Sequence, residues 1–122
     1  MAAFRPFEIE AIRLMAEGVL SPAQLDVLVE IDKPLRYEYT GCGYFLTVAH
    51  ASFPNHRCTL SEPAVVGTAG EVRAGFVLFL GENELTLECH TWGAVDVPED
   101  FRDRPIEIST PPINVVDLRD AT

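Results

Sequence analysis

Residues 73–92 decide the fold, and they read RAGFVLFLGENELTLECHTW. Two β-rich runs flank a cluster of turn residues, Gly81-Glu82-Asn83, which is typical of a β-hairpin with a short loop. The run before the turn, residues 76–80, is apolar at every position and favours a central strand covered on both faces. The run after the turn alternates between two predicted faces, with Leu85, Leu87, Cys89 and Thr91 on one and Glu84, Thr86, Glu88, His90 and Trp92 on the other.

The charge of the chain limits the partners that it can bind. It has 9 Lys and Arg residues against 19 Asp and Glu residues, a formal net charge of −10 at pH 7. Nucleic acids and anionic membranes attract positive surfaces, so this balance argues against both as partners. It is compatible with a basic protein partner, and equally with a role in solubility alone.

The length and the cysteines indicate one domain in a reducing compartment. The chain has 122 residues, and its three cysteines, at positions 42, 58 and 89, form no close pair. An odd number of separated cysteines predicts free thiols in the cytoplasm and not a disulfide framework. The first ten residues hold two glutamates and no long apolar run, so no secretory signal is expected. No apolar run approaches the roughly 20 residues that span a bilayer.

Two helices are predicted at the N-terminus. The first covers residues 6–17, begins with Pro6 and presents an apolar stripe of Phe7, Ala11, Leu14 and Met15. The second begins after Ser21, which is predicted to cap it together with Gln24 in a capping box. Its predicted buried side is formed by Leu25, Leu28, Val29 and Ile31.

The two helices form a predicted αα-hairpin over residues 6–32. A helix-turn-helix DNA reader has similar spacing. However, the second helix carries mostly acidic side chains, whereas a recognition helix needs basic and amide groups that face the DNA. We therefore expect a structural hairpin and no nucleic-acid partner.

Residues 35–118 are predicted to form the sheet. Besides the central hairpin, β-rich runs occur at 35–40, 44–50, 64–68, 106–108 and 113–118. Residues 51–63 and 93–105 are predicted loops, and Gly41-Cys42-Gly43 is either a tight turn or a glycine bulge. Helices followed by strands indicate an α+β fold, here an N-terminal αα-hairpin packed on a mostly antiparallel sheet of five or six strands in one domain.

Histidine and cysteine side chains offer one alternative site. His50, His56, Cys58 and His90 are the most plausible zinc ligands in the chain, although none of the spacings typical of zinc sites is present. A small hydrolase-like enzyme is a related alternative, with Cys42 as nucleophile and His50 or His90 as its base. The competing interpretation places the cysteines in the core and the histidines at the surface, with no cofactor.

The predicted hairpin and the loop after it carry the strongest charge segregation in the chain. Residues 74–101 hold six acidic residues and no Lys or Arg. The residues that qualify as a binding surface are Glu84, Glu88, His90, Trp92, Asp96, Glu99 and Asp100. Clustered charge beside an aromatic side chain is typical of a protein interface, whereas a solvated sheet face and loop would need no partner. Trp92 can equally pack under the helical hairpin.

These observations favour a small acidic, non-enzymatic interaction domain. Its partner would be a basic protein, attracted over long range by the opposite charge. Immunity proteins, which neutralise basic toxins, are similar in size and charge, so an inhibitor is one form that this function can take. A homodimer through an exposed sheet edge is a further hypothesis.

Overall fold

The computed structural model describes residues 2–111 and has the α+β architecture that the sequence predicts. Two helices pack on one face of a sheet in which every described pairing is antiparallel. The helices are α1 (Pro6–Ala16) and α2 (Pro22–Glu30). The strands are β1 (Arg36–Tyr39), β2 (Gly43–Ala49), β3 (Cys58–Leu60), β4 (Val66–Ala69), β5 (Val72–Gly81), β6 (Glu84–Thr91) and β7 (Glu107–Ser109). The run predicted at 113–118 lies outside the described residues.

The β5–β6 hairpin lies at the centre of the sheet. The strand order is β1-β2-β6-β5-β4-β7, and β3 pairs with the second half of β5. Within the described residues, β1, β3 and β7 therefore form the outer edges. Within residues 2–111 the sheet has seven strands instead of five or six, because β3 lies inside the stretch predicted as a loop at 51–63. Three residues are too few to show the alternation by which strands are recognised.

The β5–β6 turn and the β1–β2 turn each have a defined geometry. The β5–β6 loop consists of Glu82 and Asn83, whose φ angles of 54° and 59° match the paired left-handed residues of a type I′ turn. The glycine-flanked segment is a turn and not a bulge, because β1 ends at Tyr39 and β2 begins at Gly43. The N–H of Thr40 closes this turn on the carbonyl of Gly43 at 2.8 Å.

The helices follow their predicted caps but not every predicted buried position. Ser21 and Gln24 form the expected capping box at the start of α2, with bonds of 2.7 and 3.1 Å. In α1, Ile12 is fully buried and Leu14 only half-buried, so the apolar stripe is rotated from its predicted centre. Val29 is 54% exposed, because α2 is short and contacts the molecule mainly through Leu25 and Leu28.

One face of the sheet forms the core. The β5 side chains Phe76, Leu78 and Leu80 are buried against the helices, and the ring of Phe7 from α1 lies 6.3 Å from that of Phe76. The prediction that β5 is covered on both faces is wrong for the described residues, since Val77, on the other face, is only half-buried. No helix of the described part of the chain is long and apolar enough to cross a membrane.

Candidate functional site

The sheet face that points away from the helices carries the first four predicted binding residues. We call this surface the open face. In β6, Glu84, Glu88 and His90 alternate with core residues and lie on the open face, as predicted, and Trp92 follows at its end. Trp92 is 46% exposed, and its ring lies 6.4 Å from that of His90.

Apolar side chains on the open face lie apart from the main core. Phe45, Val77 and Phe79 are half-buried, yet none of them belongs to the cluster that packs between sheet and helices. The strand register explains this, because each of the three is paired with a residue of the open face and not with a core residue of β6. The open face is therefore an amphipathic surface and not a uniformly solvated one.

One cross-strand row places an aromatic ring between two carboxylates. Phe45 of β2 is paired with Glu38 of β1 on one side and with Glu88 of β6 on the other. Directly paired residues have Cβ atoms about 5 Å apart, so the Glu38 and Glu88 side chains begin on either side of the Phe45 side chain. Neither carboxylate forms a hydrogen bond or a salt bridge with a side chain in the described part of the chain. The row is thus an apolar surface with two free negative charges.

The next row along the sheet is built around His90. Its backbone is paired with a glycine on each neighbouring strand, Gly43 of β2 and Gly75 of β5. A Cβ atom at Gly75 would lie 2.7 Å from the imidazole and 2.6 Å from the Trp92 ring, so both rings pack over the bare backbone of β5. Glycine at this position fixes the two rings side by side at one end of the open face.

The end of the open face near the β5–β6 turn carries less unpaired negative charge than the Glu38–Phe45–Glu88 row. Glu84 accepts a hydrogen bond from Arg36 at 2.9 Å, and Glu82 one from Arg57 at 3.1 Å. A cleft of about 330 Å³ lies here between β3, β5 and β6, with Thr59, Phe79 and further residues in its wall. The negative charge of the open face is therefore concentrated in the Glu38–Phe45–Glu88 row.

The acidic loop after β6 does not share the open face. Val97 at its centre is fully buried, and its carbonyl accepts a hydrogen bond of 2.8 Å from the hydroxyl of Tyr39, which points to the helix side of β1. Asp96 and Glu99 are exposed on this loop, while Asp100 is paired with Arg104 at 3.1 Å. The predicted binding residues therefore form two surfaces on opposite sides of the sheet.

The histidines and cysteines of the alternative metal set do not converge. His50 lies beside the β5–β6 turn, where its N–H donates to the carbonyl of Asn83, whereas His90 pairs with the far end of β2. Seven residues of extended chain separate the two positions, or roughly 23 Å. Among residues 2–111, no three His, Cys, Asp or Glu side chains are grouped so that they could hold a metal ion.

No histidine forms a hydrogen bond with a cysteine in the described part of the chain. Cys42 is exposed at the tip of the β1–β2 turn, remote from His50 but next to Gly43, whose backbone is paired with that of His90. Cys89 is buried, and burial together with the nearby Glu8 carboxylate raises the pKa of its thiol well above the ordinary value. A thiol with a raised pKa remains protonated and unreactive at neutral pH.

Among residues 2–111, a buried cluster around Glu8 was not predicted from the sequence. Glu8 is fully buried in α1, and its carboxylate accepts hydrogen bonds from Nε and Nη2 of Arg102 at 2.7 and 2.8 Å, from the Tyr44 hydroxyl and from the N–H of Arg5. The guanidinium lies 5.5 and 5.7 Å from the ring centres of Tyr37 and Tyr44. A carboxylate within an apolar helical stripe was the available signal, since such a group needs a buried partner.

This cluster joins distant parts of the fold, and each oxygen of the Glu8 carboxylate already accepts two hydrogen bonds. Burial by itself would lower the pKa of Arg102, but the hydrogen bond and the charge of Glu8 raise it above the ordinary value. Burial and the Glu8 charge likewise raise the pKa of Tyr44. The cluster thus holds a charged pair and a neutral phenol that join α1, β2 and the 3-10 turn at Phe101–Asp103.

Comparison with protein-family models, with curated protein sequences and with solved structures gives no match for this chain.

Proposed function

We propose that this protein is a non-enzymatic interaction domain that binds a basic protein through its open face. The row Glu38–Phe45–Glu88 supports this proposal best, because it combines two carboxylates that have no partner in the described chain with an aromatic surface outside the core. A cationic side chain from another protein would contact the carboxylates and the aromatic ring at the same time.

Arginine fits this row better than lysine does. A guanidinium group is planar, donates to carboxylates through a fork of N–H groups and stacks on aromatic rings. Above Phe45 it would lie between Glu38 and Glu88, with the phenyl ring beneath its plane. The half-buried Val77 extends the apolar surface on the β5 side, where the rest of a partner would pack.

Trp92 lies at the rim of the proposed contact. Arg73 is exposed next to it, and the N–H of Trp92 donates to the Arg73 carbonyl at 2.9 Å. A second cation beyond Trp92 would be repelled by this arginine, so we place the centre of the contact at Glu88. The indole contributes apolar contact area there, as aromatic residues do at interfaces.

The overall charge of −10 would accelerate association with a basic partner. Small acidic proteins suit the role of inhibitor or immunity-like binder, because they can cover a basic active surface without chemistry of their own. The exposed Asp96 and Glu99 on the helix side offer a second acidic contact for a larger partner.

Charge reversal at Glu88 tests the proposal. A peptide of alternating arginine and threonine serves as probe, and binding is followed at low salt by the fluorescence of Trp92, the only tryptophan. We expect Glu88→Lys to weaken binding about tenfold, corresponding to one charge-assisted hydrogen bond. Glu10→Lys makes the same charge change on the exposed side of α1 and should have less than a threefold effect.

Two further measurements separate a specific site from general attraction. Binding of the peptide should also show amide chemical-shift changes centred on Phe45 and Glu88. Equal weakening by Glu88→Lys and Glu10→Lys, or shifts spread evenly over the surface, would show that the open face has no special role. Binding that persists undiminished at high salt would likewise contradict an electrostatic contact.

A further inference from the structure

The β1 edge of the sheet has free backbone groups at alternate residues. The N–H of His50 donates to the carbonyl of Asn83, which continues the β2–β6 register by one pair. Backbone groups alternate in direction along a strand, so even-numbered residues of β2 bond to β6 and odd-numbered residues bond to β1. The bond from the Thr40 N–H to the Gly43 carbonyl agrees with this alternation. The N–H of Leu35, just before β1, also donates to β2, at 2.7 Å to the Thr47 carbonyl, so the alternation begins only after Leu35.

The register of β1 with β2 shows which backbone N–H and C=O groups of β1 have no partner strand. Glu38 is opposite the odd-numbered Phe45, so its N–H and C=O groups bond to β2. The N–H and C=O groups of Tyr37 and Tyr39 therefore point outward, where the described chain has no further strand. An edge of this kind is a template for another strand.

The side chains of this edge are also unusually exposed for apolar residues. Leu35 is 51% exposed and Tyr37 40% exposed, although both adjoin the core layer. Arg36 and Glu38 lie on the open face, two residues apart along one strand. One apolar residue flanked by two opposite charges is a self-complementary arrangement.

We propose that β1 pairs with β1 of a second copy of this chain, antiparallel and centred on Tyr37. In this register the two Tyr37 residues exchange both backbone hydrogen bonds across a two-fold axis. Arg36 of each copy then lies directly opposite Glu38 of the other, and the two sheets become one continuous sheet. The exposed rings of Tyr37 meet on the helix side.

Charge selects this register over its neighbours. A two-fold axis at Glu38 would place two glutamates directly opposite each other, and an axis at Arg36 would do the same with two arginines. Like charges in directly opposed positions destabilise a strand pair, whereas opposite charges stabilise it. Only the register centred on Tyr37 therefore has attractive pairs at both charged positions of β1.

The interface is expected to be weak. It includes one four-residue strand from each copy, and the net charge of −10 on each copy opposes association. Small interfaces of this kind give transient complexes, so we expect a dissociation constant of about 0.1–1 mM. The dimer should be more stable at moderate salt than at very low salt, because the long-range repulsion is screened while the directly opposed pairs persist.

Sedimentation equilibrium on charge variants tests the proposal. Glu38→Arg places two arginines opposite each other at both sites and should weaken the dimer about tenfold. It leaves the Arg36–Glu84 salt bridge of the same chain intact. Glu10→Arg makes the same change of net charge on α1 and should not weaken the dimer. The double variant with Arg36→Glu and Glu38→Arg restores opposite charges across the interface and should recover the dimer to within about threefold. It also removes the Arg36–Glu84 salt bridge within each chain, so its free energy of unfolding is measured alongside.

Amide hydrogen exchange gives a readout that does not depend on charge. The Tyr37 N–H should become protected as protein concentration rises, while the Glu38 N–H, already bonded to β2, should be protected at every concentration. A monomer up to about 1 mM would overturn the proposal. So would a dimer in which the Tyr37 amide stays unprotected and Glu38→Arg has no effect, because its interface would lie elsewhere.

Discussion

At the residue scale, the ion pair between the buried Glu8 and the half-buried Arg102 has the clearest consequences for stability. Transfer of a carboxylate from water into the core is unfavourable, and here four donors compensate for it. Arg102 also donates to the carbonyl of Ala3 at 2.8 Å. The pair therefore determines how the chain before α1 and the turn after β6 meet the sheet.

Removal of one partner of this pair should be costly. Arg102→Leu leaves the Glu8 carboxylate buried without its countercharge, and we expect it to lower the free energy of unfolding by about 3–5 kcal/mol. The double variant Glu8→Leu with Arg102→Leu should be less destabilised than Arg102→Leu alone. Urea denaturation followed by circular dichroism measures both. Equal destabilisation of the single and double variants would show that packing, and not charge, accounts for the loss.

Two buried weak acids, Cys89 and Tyr44, allow us to predict how the stability of the fold changes at alkaline pH. The pKa values of Cys89 and Tyr44 are raised in the folded chain above their ordinary values of 9.0 and 10.0. At a pH above these ordinary values, the unfolded chain releases protons that the folded chain retains. The contribution of the two groups to the free energy of unfolding is therefore fully present below about pH 9 and decreases as the pH rises further. Each group contributes a slope of up to about 1.4 kcal/mol per pH unit.

Urea denaturation between pH 7 and 11 measures this slope, and Tyr44→Phe should reduce it above pH 10. That variant also loses the hydrogen bond to Glu8, so at pH 7 it should be less stable by about 1.5–3 kcal/mol. A stability that is flat to pH 11 would contradict the burial of both groups.

At the scale of the strands, two glycines flank His90 for different reasons. A Cβ atom at Gly43 would lie 2.0 Å from the carbonyl oxygen of Cys89, which is backbone of the adjacent strand. A Cβ atom at Gly75 would meet only the ends of the His90 and Trp92 side chains. Side chains can rotate away, whereas the paired backbone of a central strand cannot move without loss of its hydrogen bonds.

The same alanine substitution should therefore have unequal effects. We expect Gly43→Ala to cost about 3 kcal/mol or more and Gly75→Ala about 1 kcal/mol. Gly75→Ala should instead change the fluorescence of Trp92, because the indole must shift. Thermal denaturation together with the emission spectrum distinguishes the two. Similar losses of stability in both variants would mean that β2 and β6 can separate at the Gly43–His90 pair.

At the scale of the whole molecule, net charge acts on stability as well as on partners. A charge of −10 on a chain of 122 residues is repulsive in the compact state and less so in the expanded unfolded chain. The six described salt bridges oppose this effect only locally, since all but the Glu8–Arg102 pair have at least one exposed partner.

Added salt should therefore stabilise the protein. Between about 10 and 150 mM NaCl the screening length falls from roughly 30 to 8 Å, and we expect the midpoint of urea denaturation to rise. Sodium chloride is suitable because it affects the hydrophobic effect little at these concentrations. A falling midpoint would indicate that the exposed ion pairs outweigh the general repulsion.

The sequence by itself determined the α+β class, the helical hairpin and the central β5–β6 hairpin, because these depend on local patterns. Ser21 and Gln24 cap α2 as their spacing predicts, and alternation along β6 assigns Glu88 and His90 to one face. Such features involve residues that are neighbours in the chain, so periodicity and cap chemistry are sufficient to find them.

Only the tertiary structure decided which distant residues meet. The flanking of Phe45 by Glu38 and Glu88 depends on the register of three strands, and the pairing of Glu8 with Arg102 joins residues 94 positions apart. The separation of His50 from His90 and of the acidic loop from the open face has the same origin. These relations depend on how whole elements pack, and many pairings of the same strands satisfy the local pattern equally well.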